Sequence, residues 1–474
     1  MKPLFQILSP QAVNRILEEA YQLLAETGVR ISDPEACSLL EDGGAKLASD
    51  VAQIPGGMID RALSSVGKDF YLHIRSGEPA VHFSAGDDVH FDPGSCAVNI
   101  LDPQSMEHRP AVTADLVRLV QVTEMLPQFA AQSTAVVCHD SPAIIGDINR
   151  LYVVLTHSEK PVVTGAFSSR NIQAMISLLA ADCGSREKLR EMPRAIFDVC
   201  PSPPMHWTEF ACRCLIELGR AGVPVELVSM PLAGATAPVT LAGSLVQHAA
   251  ESLAGIVIHQ LASPSAPLVW GGAPAIFDMR TGSAPMGAVE TAMLDAGYVA
   301  VGKHLGLPTH GYLGGSDSKL VDAQSGAEAA TGFLLGALAG INMISGAGML
   351  DSLNCQSVEK LVLDAEAIAS SQRLLAGINI QDGTLALGSF TQTGLEGDFL
   401  KLRETRDLFR KEQHLPLEAI DRSSLQTWQL AGSPEVFTRA RLHADLLVEQ
   451  YQKPDLPTET LTKFEQILRS VSKS

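Results

Sequence analysis

The chain is short of aromatic residues, which make up 5% of its 474 positions. It is also short of charge, with 19% charged against 46% apolar residues. That balance excludes a disordered chain and a coiled coil, both of which carry far more charge. Positive charge is in deficit: 35 Lys and Arg face 53 Asp and Glu, for a net charge of −18. Nucleic-acid binding needs basic side chains to displace counterions from phosphates. No basic run occurs, so nucleic acid is not an expected partner, and the acidity speaks for solubility.

Cysteine is present but scattered, at Cys37, Cys96, Cys138, Cys183, Cys200, Cys212, Cys214 and Cys355, which does not suit a secreted disulfide framework. The one close pair, Cys212 and Cys214, would point in different directions on a helix, so core filling is expected rather than a metal clip. No His-x-His or His-Glu-x-x-His spacing occurs, and no tightly bound metal is expected. The N-terminus, Met1 to Phe5, lacks the apolar core of a signal peptide. Ala329–Leu350 carries no charge and is long enough for a membrane span, but Gly332, Gly336, Gly340 and Asn342 interrupt it. His259, Pro264, Pro267 and Pro274 break up the apolar stretch that begins at Ala254. Buried helix followed by buried strand is the better reading. A cytoplasmic protein with no membrane partner is expected.

A rhythm sets in from about residue 95: a β-branched apolar run, a turn cluster, then a helical pattern. The strand candidates are Cys96–Leu101, Phe129–Val137, Pro161–Ala166, Ala195–Cys200, Val223–Val228, Pro267–Trp270, Pro308–Leu313 and Ile341–Ile344. A helical pattern follows each of them. Alternating elements imply a parallel sheet under helices. Eight units predict a closed (β/α)8 TIM barrel over residues 95–375. Residues 1–94 read as a helical cap with short strands, including Tyr71–Ile74 and Ala80–Phe83. Residues 376–474 read as a C-terminal helical extension that packs on the barrel or on another subunit. No Gly-x-Gly-x-x-Gly follows an early strand, so a dinucleotide site in an open sheet is not expected.

Function in such a barrel belongs at the C-terminal strand ends. The loops there are rich in Gly, Ala, Ser and Pro and poor in acids and bases, as in Gly271-Gly272-Ala273-Pro274 and Gly314-Gly315-Ser316-Asp317. Paired carboxylates, or a nucleophile beside a base, are missing from them. Small loops leave an open mouth suited to a bulky planar ligand. Phe91, Phe167, Trp207, Trp270 and Tyr312 lie at the rim or in the barrel, and aromatic faces attract quaternary ammonium ions. For each ring the competing reading is ordinary core packing. For the lone histidines it is a satisfied structural role. Lys319 near a strand end could form a Schiff base; the competing reading is a solvated lysine paired with Asp317 or Asp322.

Several segments in order carry a resemblance. They include Gly28-Val29-Arg30-Ile31 with Asp33, Phe91-Asp92-Pro93-Gly94 and Arg109-Pro110. Further along come Pro231-Leu232-Ala233-Gly234-Ala235-Thr236-Ala237-Pro238, Ser316-Asp317-Ser318-Lys319, Gly346-Ala347-Gly348-Met349-Leu350-Asp351 and Glu359-Lys360-Leu361-Val362. On these the chain resembles the trimethylamine methyltransferase family, in its branch without pyrrolysine, which includes glycine betaine:corrinoid methyltransferases. The resemblance covers residues from about 5 to about 380. It implies a barrel that moves a methyl group from a quaternary amine, glycine betaine first, to Co(I) of a corrinoid on a small carrier protein. Proline betaine, carnitine and γ-butyrobetaine are substitutes within that chemistry. A neutral tertiary amine leaves a quaternary ammonium without prior activation, so the protein's tasks are positioning and electrostatics.

On that reading the five aromatic residues above are candidates for the ammonium site. His139, His206, His310, Arg280 and Lys319 are candidates to anchor a carboxylate. Gly234, Thr236, Gly271, Gly272, Gly314, Gly315, Ser316, Asp317, Ser345 and Gly346 are candidates to face a corrinoid. A homo-oligomer is expected. A Schiff-base lyase using Lys319 and a non-catalytic betaine-binding protein are the alternatives.

Overall fold

The computed structural model describes residues 3–86, 88–380 and 385–472. Eight parallel strands form the barrel: β1 (His90–Pro93), β2 (Gln132–Ser133), β3 (Val162–Thr164), β4 (Ala195–Val199), β5 (Val225–Ser229), β6 (Leu268–Gly272), β7 (His310–Tyr312) and β8 (Met343–Ala347). One ladder runs from β2 through β6 and another joins β7, β8 and β1. A parallel bridge between Trp270 and Thr309 closes the first gap. The Ala130 N–H closes the second by donating to the Phe91 carbonyl at 2.9 Å. The expected (β/α)8 barrel with appendages is therefore the observed fold.

The ring of helices is α1 (Thr113–Met125), α2 (Gly146–His157), α3 (Ser169–Cys183), α4 (Glu209–Ala221), α5 (Leu241–Ala262), α6 (Val289–His304), α7 (Ala323–Leu338) and α8 (Val358–Leu375). Side-chain caps start several of them. Thr208 accepts from the Ala211 N–H, Thr240 from Gly243 and Ser357 from Lys360. Each satisfies a backbone donor that the first turn leaves unpaired. Helix α5 is long and apolar enough to cross a membrane by composition, yet 83% of that window is buried within the fold.

Seven of the eight expected strands overlap barrel strands. The exception is the first. Within Cys96–Leu101, Asn99–Leu101 joins a separate four-stranded sheet with His108–Pro110, Met349–Leu350 and Cys355–Gln356. The first barrel strand is His90–Pro93, where Asp92 breaks the apolar pattern because it faces a polar barrel centre. The separate sheet follows β1 and β8 in the chain and so lies over their C-terminal ends.

The barrel floor is apolar. Ala131, Val163, Ile196, Val269 and Met343 cluster there with Leu72, Val81 and Phe83 from the antiparallel hairpin Phe70–His73/Pro79–Phe83. All three hairpin side chains are fully buried, a contribution of roughly 1.5–3 kcal/mol each. The N-terminal helices Pro10–Glu26, Pro34–Gly43 and Gly56–Ser65 pack on α5. The C-terminal helices hold the other side: Val436–Gln450 lies on α8 and α1, and Thr458–Ser472 on α3 and α2.

Candidate functional site in the barrel mouth

Alternate residues of a strand face opposite sides, so each barrel strand sends its side chains up the interior in tiers. Above the apolar floor comes a polar tier. It holds Asp92 from β1, Asp198 from β4, Glu226 from β5, His310 from β7 and Ser345 from β8. His310 Nε2 lies 2.6 Å from Ser345 Oγ, which in turn donates to Asp92 Oδ1. On its other side His310 Nδ1 meets Glu226 Oε1. Tyr312, one step higher on β7, donates its hydroxyl to Asp198 Oδ2 at 2.7 Å. Asp92 Oδ2, Asp198 Oδ1 and Glu226 Oε2 are buried without a partner.

A Cβ at Gly271 would sit 2.7 Å from Glu226 Oε1, so the glycine leaves the space that this carboxylate occupies. Above the polar tier, Val228, Ala273 and Tyr312 pack together with Cys200 and Met286. Gly165, Asp198 and Cys200 retain part of their surface to solvent, and mark the opening at the ends of β3 and β4.

Burial sets the charge state. It pushes the Asp92 carboxyl well above the ordinary carboxylate range, against the Ser345 hydrogen bond that favours ionisation. Burial lifts Asp198 to about 7, against the Tyr312 hydroxyl. It lowers the His310 imidazole to about 3, so that histidine is neutral at physiological pH. In each case desolvation disfavours the charged form.

A cavity of about 760 Å³ lies on the rim over the loops after β6, β7 and β8, lined by residues including Asp278, Ser283, Asp317, Lys319 and Asp351. Lys319 is mostly exposed; its Nζ donates to the Asp317 carbonyl at 2.6 Å and stands 3.5 Å from Asp351 Oδ1. Asp317 accepts from the Met286 and Gly287 N–H groups at 2.8 and 3.0 Å, which ties two loops together. Ser316 Oγ donates to Glu328 at 2.6 Å.

The residues named from sequence lie in several places. His310, Tyr312 and Ser345 meet in the barrel centre, with Gly271 at their edge. Phe91 faces outward against Phe333 of α7, ring centroids 5.9 Å apart. Trp270 also faces outward, and its Nε1 donates to the Tyr298 carbonyl of α6 at 3.0 Å. Trp207 packs against Gly255 of α5 and donates to the Glu251 carbonyl at 3.0 Å. These three rings are core packing between barrel and helices. Phe167 stands half-exposed on the rim after β3, with the Arg150 guanidinium 4.2 Å over its ring.

His139 lies on the exposed rim after β2, 3.2 Å from the Val98 carbonyl. His206 pairs with Arg30 in a sheet of the N-terminal cap and lies 2.8 Å from Ser32 Oγ. Arg280 extends into solvent, paired with Asp278 at 2.7 Å. Gly234 and Thr236 shape the loop after β5, where Thr236 Oγ1 accepts from the Leu232 N–H at 3.0 Å. Gly272 accepts from the Tyr298 hydroxyl at 2.8 Å. Gly314, Gly315 and Gly346 pack on one another: a Cβ at Gly346, whose φ is +116°, would meet Gly315 N at 2.7 Å.

The strand-end loops hold few acids because the acids sit one tier lower, inside the strands. Phe197-Asp198-Val199 and Val225-Glu226-Leu227 carry a signal for them in the sequence: a single acid in an apolar barrel strand has to face the interior.

A closed parallel barrel with an acidic, partly water-accessible centre below its mouth has the architecture of a TIM-barrel enzyme. The chain belongs to the trimethylamine methyltransferase (MTTB) family, which matches residues 1–470. It is 31% identical over 466 residues to the trimethylamine methyltransferase MttB of Desulfitobacterium hafniense, covering 98% of this chain and 92% of that one. A glycine betaine methyltransferase of the same species is 26% identical over 468 residues, covering 98% and 96%. Among solved structures, the monomethylamine methyltransferase MtmB of Methanosarcina barkeri shares the fold, with a TM-score of 0.55 at 12% identity over 99% of this chain and 88% of that one.

Proposed function

We propose that this methyltransferase moves a methyl group from a quaternary amine to a reduced corrinoid on a small partner protein, in the cytoplasm. The observation that carries the reading is the barrel centre. Buried carboxyl groups lie beneath an apolar wall with a tyrosine ring, and this is the environment a fixed cation with methyl substituents requires. A reduced corrinoid supplies the nucleophile when it is docked. The small residues of the loop after β5 suit a flat partner: a Cβ added at Gly234 would come no closer than 3.6 Å to any neighbour.

The chain's own groups hold the substrate. The apolar tier takes the methyl groups and excludes water, which strengthens the electrostatic hold of Asp198 and Glu226. Holding the ammonium in one orientation lowers the barrier by positioning alone. The leaving tertiary amine is neutral at the moment it forms, so bond cleavage needs no acid. Afterwards the free amine takes its proton from solvent, which reaches the barrel centre on the Asp198 side. The resemblance puts glycine betaine first among substrates, with proline betaine, carnitine and γ-butyrobetaine as substitutes.

The test is incubation of the protein with Co(I) cobalamin and a panel of quaternary amines, following loss of the Co(I) spectrum and release of tertiary amine. Co(I) consumed in step with amine released supports the reading. No consumption with any quaternary amine sinks it.

A further inference from the structure

We propose that the segment after the barrel is an arm that docks on α7 of a second copy of this chain. The proposal is independent of the chemistry assigned to the barrel centre. The arm is residues 385–412, and the chain is tied back to α8 at its far end. Arg373 of α8 donates to the Glu412 carbonyl at 2.9 Å, and Glu366 of α8 accepts from the Leu417 N–H at 2.8 Å. Within the arm the chain folds on itself. The rings of Phe390 and Phe399 stand 5.2 Å apart, and Ser389 Oγ donates to Glu404 at 2.7 Å. Its two helices, Leu387–Thr393 and Arg403–Glu412, bury no residue. They are seven and ten residues long, and helices this short are marginal in water without a packed face.

The apolar surface here is too large for a free monomer. Ile378 and Ile380 lead into the arm, and with Leu385, Leu387, Leu395 and Leu400 each is more than two-thirds exposed. These six present on the order of 800 Å² of apolar surface, against roughly 300–600 Å² for the largest patch on a typical monomer. One partner of a stable interface contributes roughly 800 Å². The arm therefore carries one full side of an interface.

The other side is α7. A surface helix normally turns charged residues to solvent. The only charged residue of α7 is Glu328, and it is turned inward, accepting from Ser316 Oγ at 2.6 Å and from the Asp317 N–H at 2.9 Å. The outward stripe is Ala323, Ala327 and Ala330, all exposed, with half-buried Leu334 one turn further on. Covering this stripe desolvates no charge, and its small side chains let a neighbour approach closely. A single copy leaves the stripe open, in a chain whose net charge is −18. Two copies that exchange arms cover both surfaces at once, each contact repeated by the two-fold axis of an isologous pair.

The experiment uses the full chain in two measurements. Sedimentation velocity at micromolar concentration should show a dimer or a larger multimer built from it. Leu395→Asp with Leu400→Asp, and separately Ala327→Glu with Ala330→Glu, should each weaken association at least hundredfold, because each buries unpaired charge in the contact. The second pair alters exposed alanines only, so it tests the receiving face without touching a core; an unchanged circular dichroism spectrum shows that the variant is folded. In the second measurement, p-benzoylphenylalanine replaces Ala327, and isotopically light and heavy copies are mixed before irradiation. Crosslinks from position 327 to peptides of residues 385–412, joining light to heavy copies, support the exchange. A wild-type chain that stays monomeric overturns the proposal. So does a multimer that survives Ala327→Glu with Ala330→Glu, or an irradiated mixture in which position 327 never joins the arm of another copy.

Discussion

Replacing Asp198 with Asn should change how stability depends on pH, with a sign and a size that follow from the barrel centre. The wild-type carboxyl titrates at about 7 because burial outweighs the Tyr312 hydrogen bond. In the unfolded chain an aspartate titrates at about 3.9. Between those values the folded protein keeps a proton that the unfolded chain has lost. Stability therefore falls as pH rises through this window, by about 1.4 kcal/mol per unit and roughly 4 kcal/mol in total. Below about pH 4 both states are protonated and above about pH 7 both are ionised, so the contribution is flat outside the window. Asn cannot titrate, yet its side-chain oxygen still accepts from Tyr312. The stability of Asp198→Asn relative to wild type should rise steadily from pH 4 to pH 7 and then level off. Asp364, which Asp198 does not influence, contributes equally to both proteins and cancels in the difference, whereas Asp92, raised in part by the charge on Asp198, adds a smaller change of its own. Urea unfolding of both proteins at half-unit steps from pH 4 to pH 8.5, followed by tryptophan fluorescence, measures it. A difference that stays constant across that range would refute the placement of Asp198 in a desolvated site.

Gly271→Ala puts a carbon 2.7 Å from Glu226 Oε1, and such overpacking costs about 1–3 kcal/mol; the added substitution Glu226→Ala should recover part of that loss in thermal unfolding. Trp270→Ala should lower stability by about 3–5 kcal/mol while leaving tetramethylammonium affinity within twofold once the protein is folded, as calorimetry would show; a large affinity loss would place the indole at the ligand. Large apolar side chains such as Leu395, at 98% exposed, and Leu400 and Leu430, at 82% and 83%, stud the segment after the barrel. A homo-oligomer that covers them should sediment as a multimer, and their replacement by Ser should yield the monomer.

Much of the fold was legible because barrel strands and helices differ in period. The helical patterns expected after Cys96–Leu101 and Val223–Val228 survive as α1 and α5. The first barrel strand was not legible. His90–Pro93 is four residues long and carries His90 and Asp92, so it shows less apolar character than the nearby run that forms the separate sheet. The site was legible in part. His310 and Tyr312 could be found because they end an apolar strand. Trp270 misdirects a sequence reading because an indole at a strand end serves the barrel interior and the helix layer equally well. Which one it serves is a matter of strand parity, and parity depends on a register that the sequence leaves open by one residue. For Asp198 and Glu226 the ambiguity disappears, because a carboxylate flanked by apolar strand residues has only the barrel centre to face.

The hairpin that closes the barrel floor has a consequence for synthesis. Leu72, Val81 and Phe83 leave the ribosome early, yet Met343 and Val269, which they pack against, come hundreds of residues later. Until β8 is made, the hairpin has no complete surface to bury. Contacts between such distant parts of a chain form slowly, because the intervening loop must close first. The nascent N-terminal segment therefore has to wait, with its apolar side chains unsheltered, for the last strand to close the ring around it.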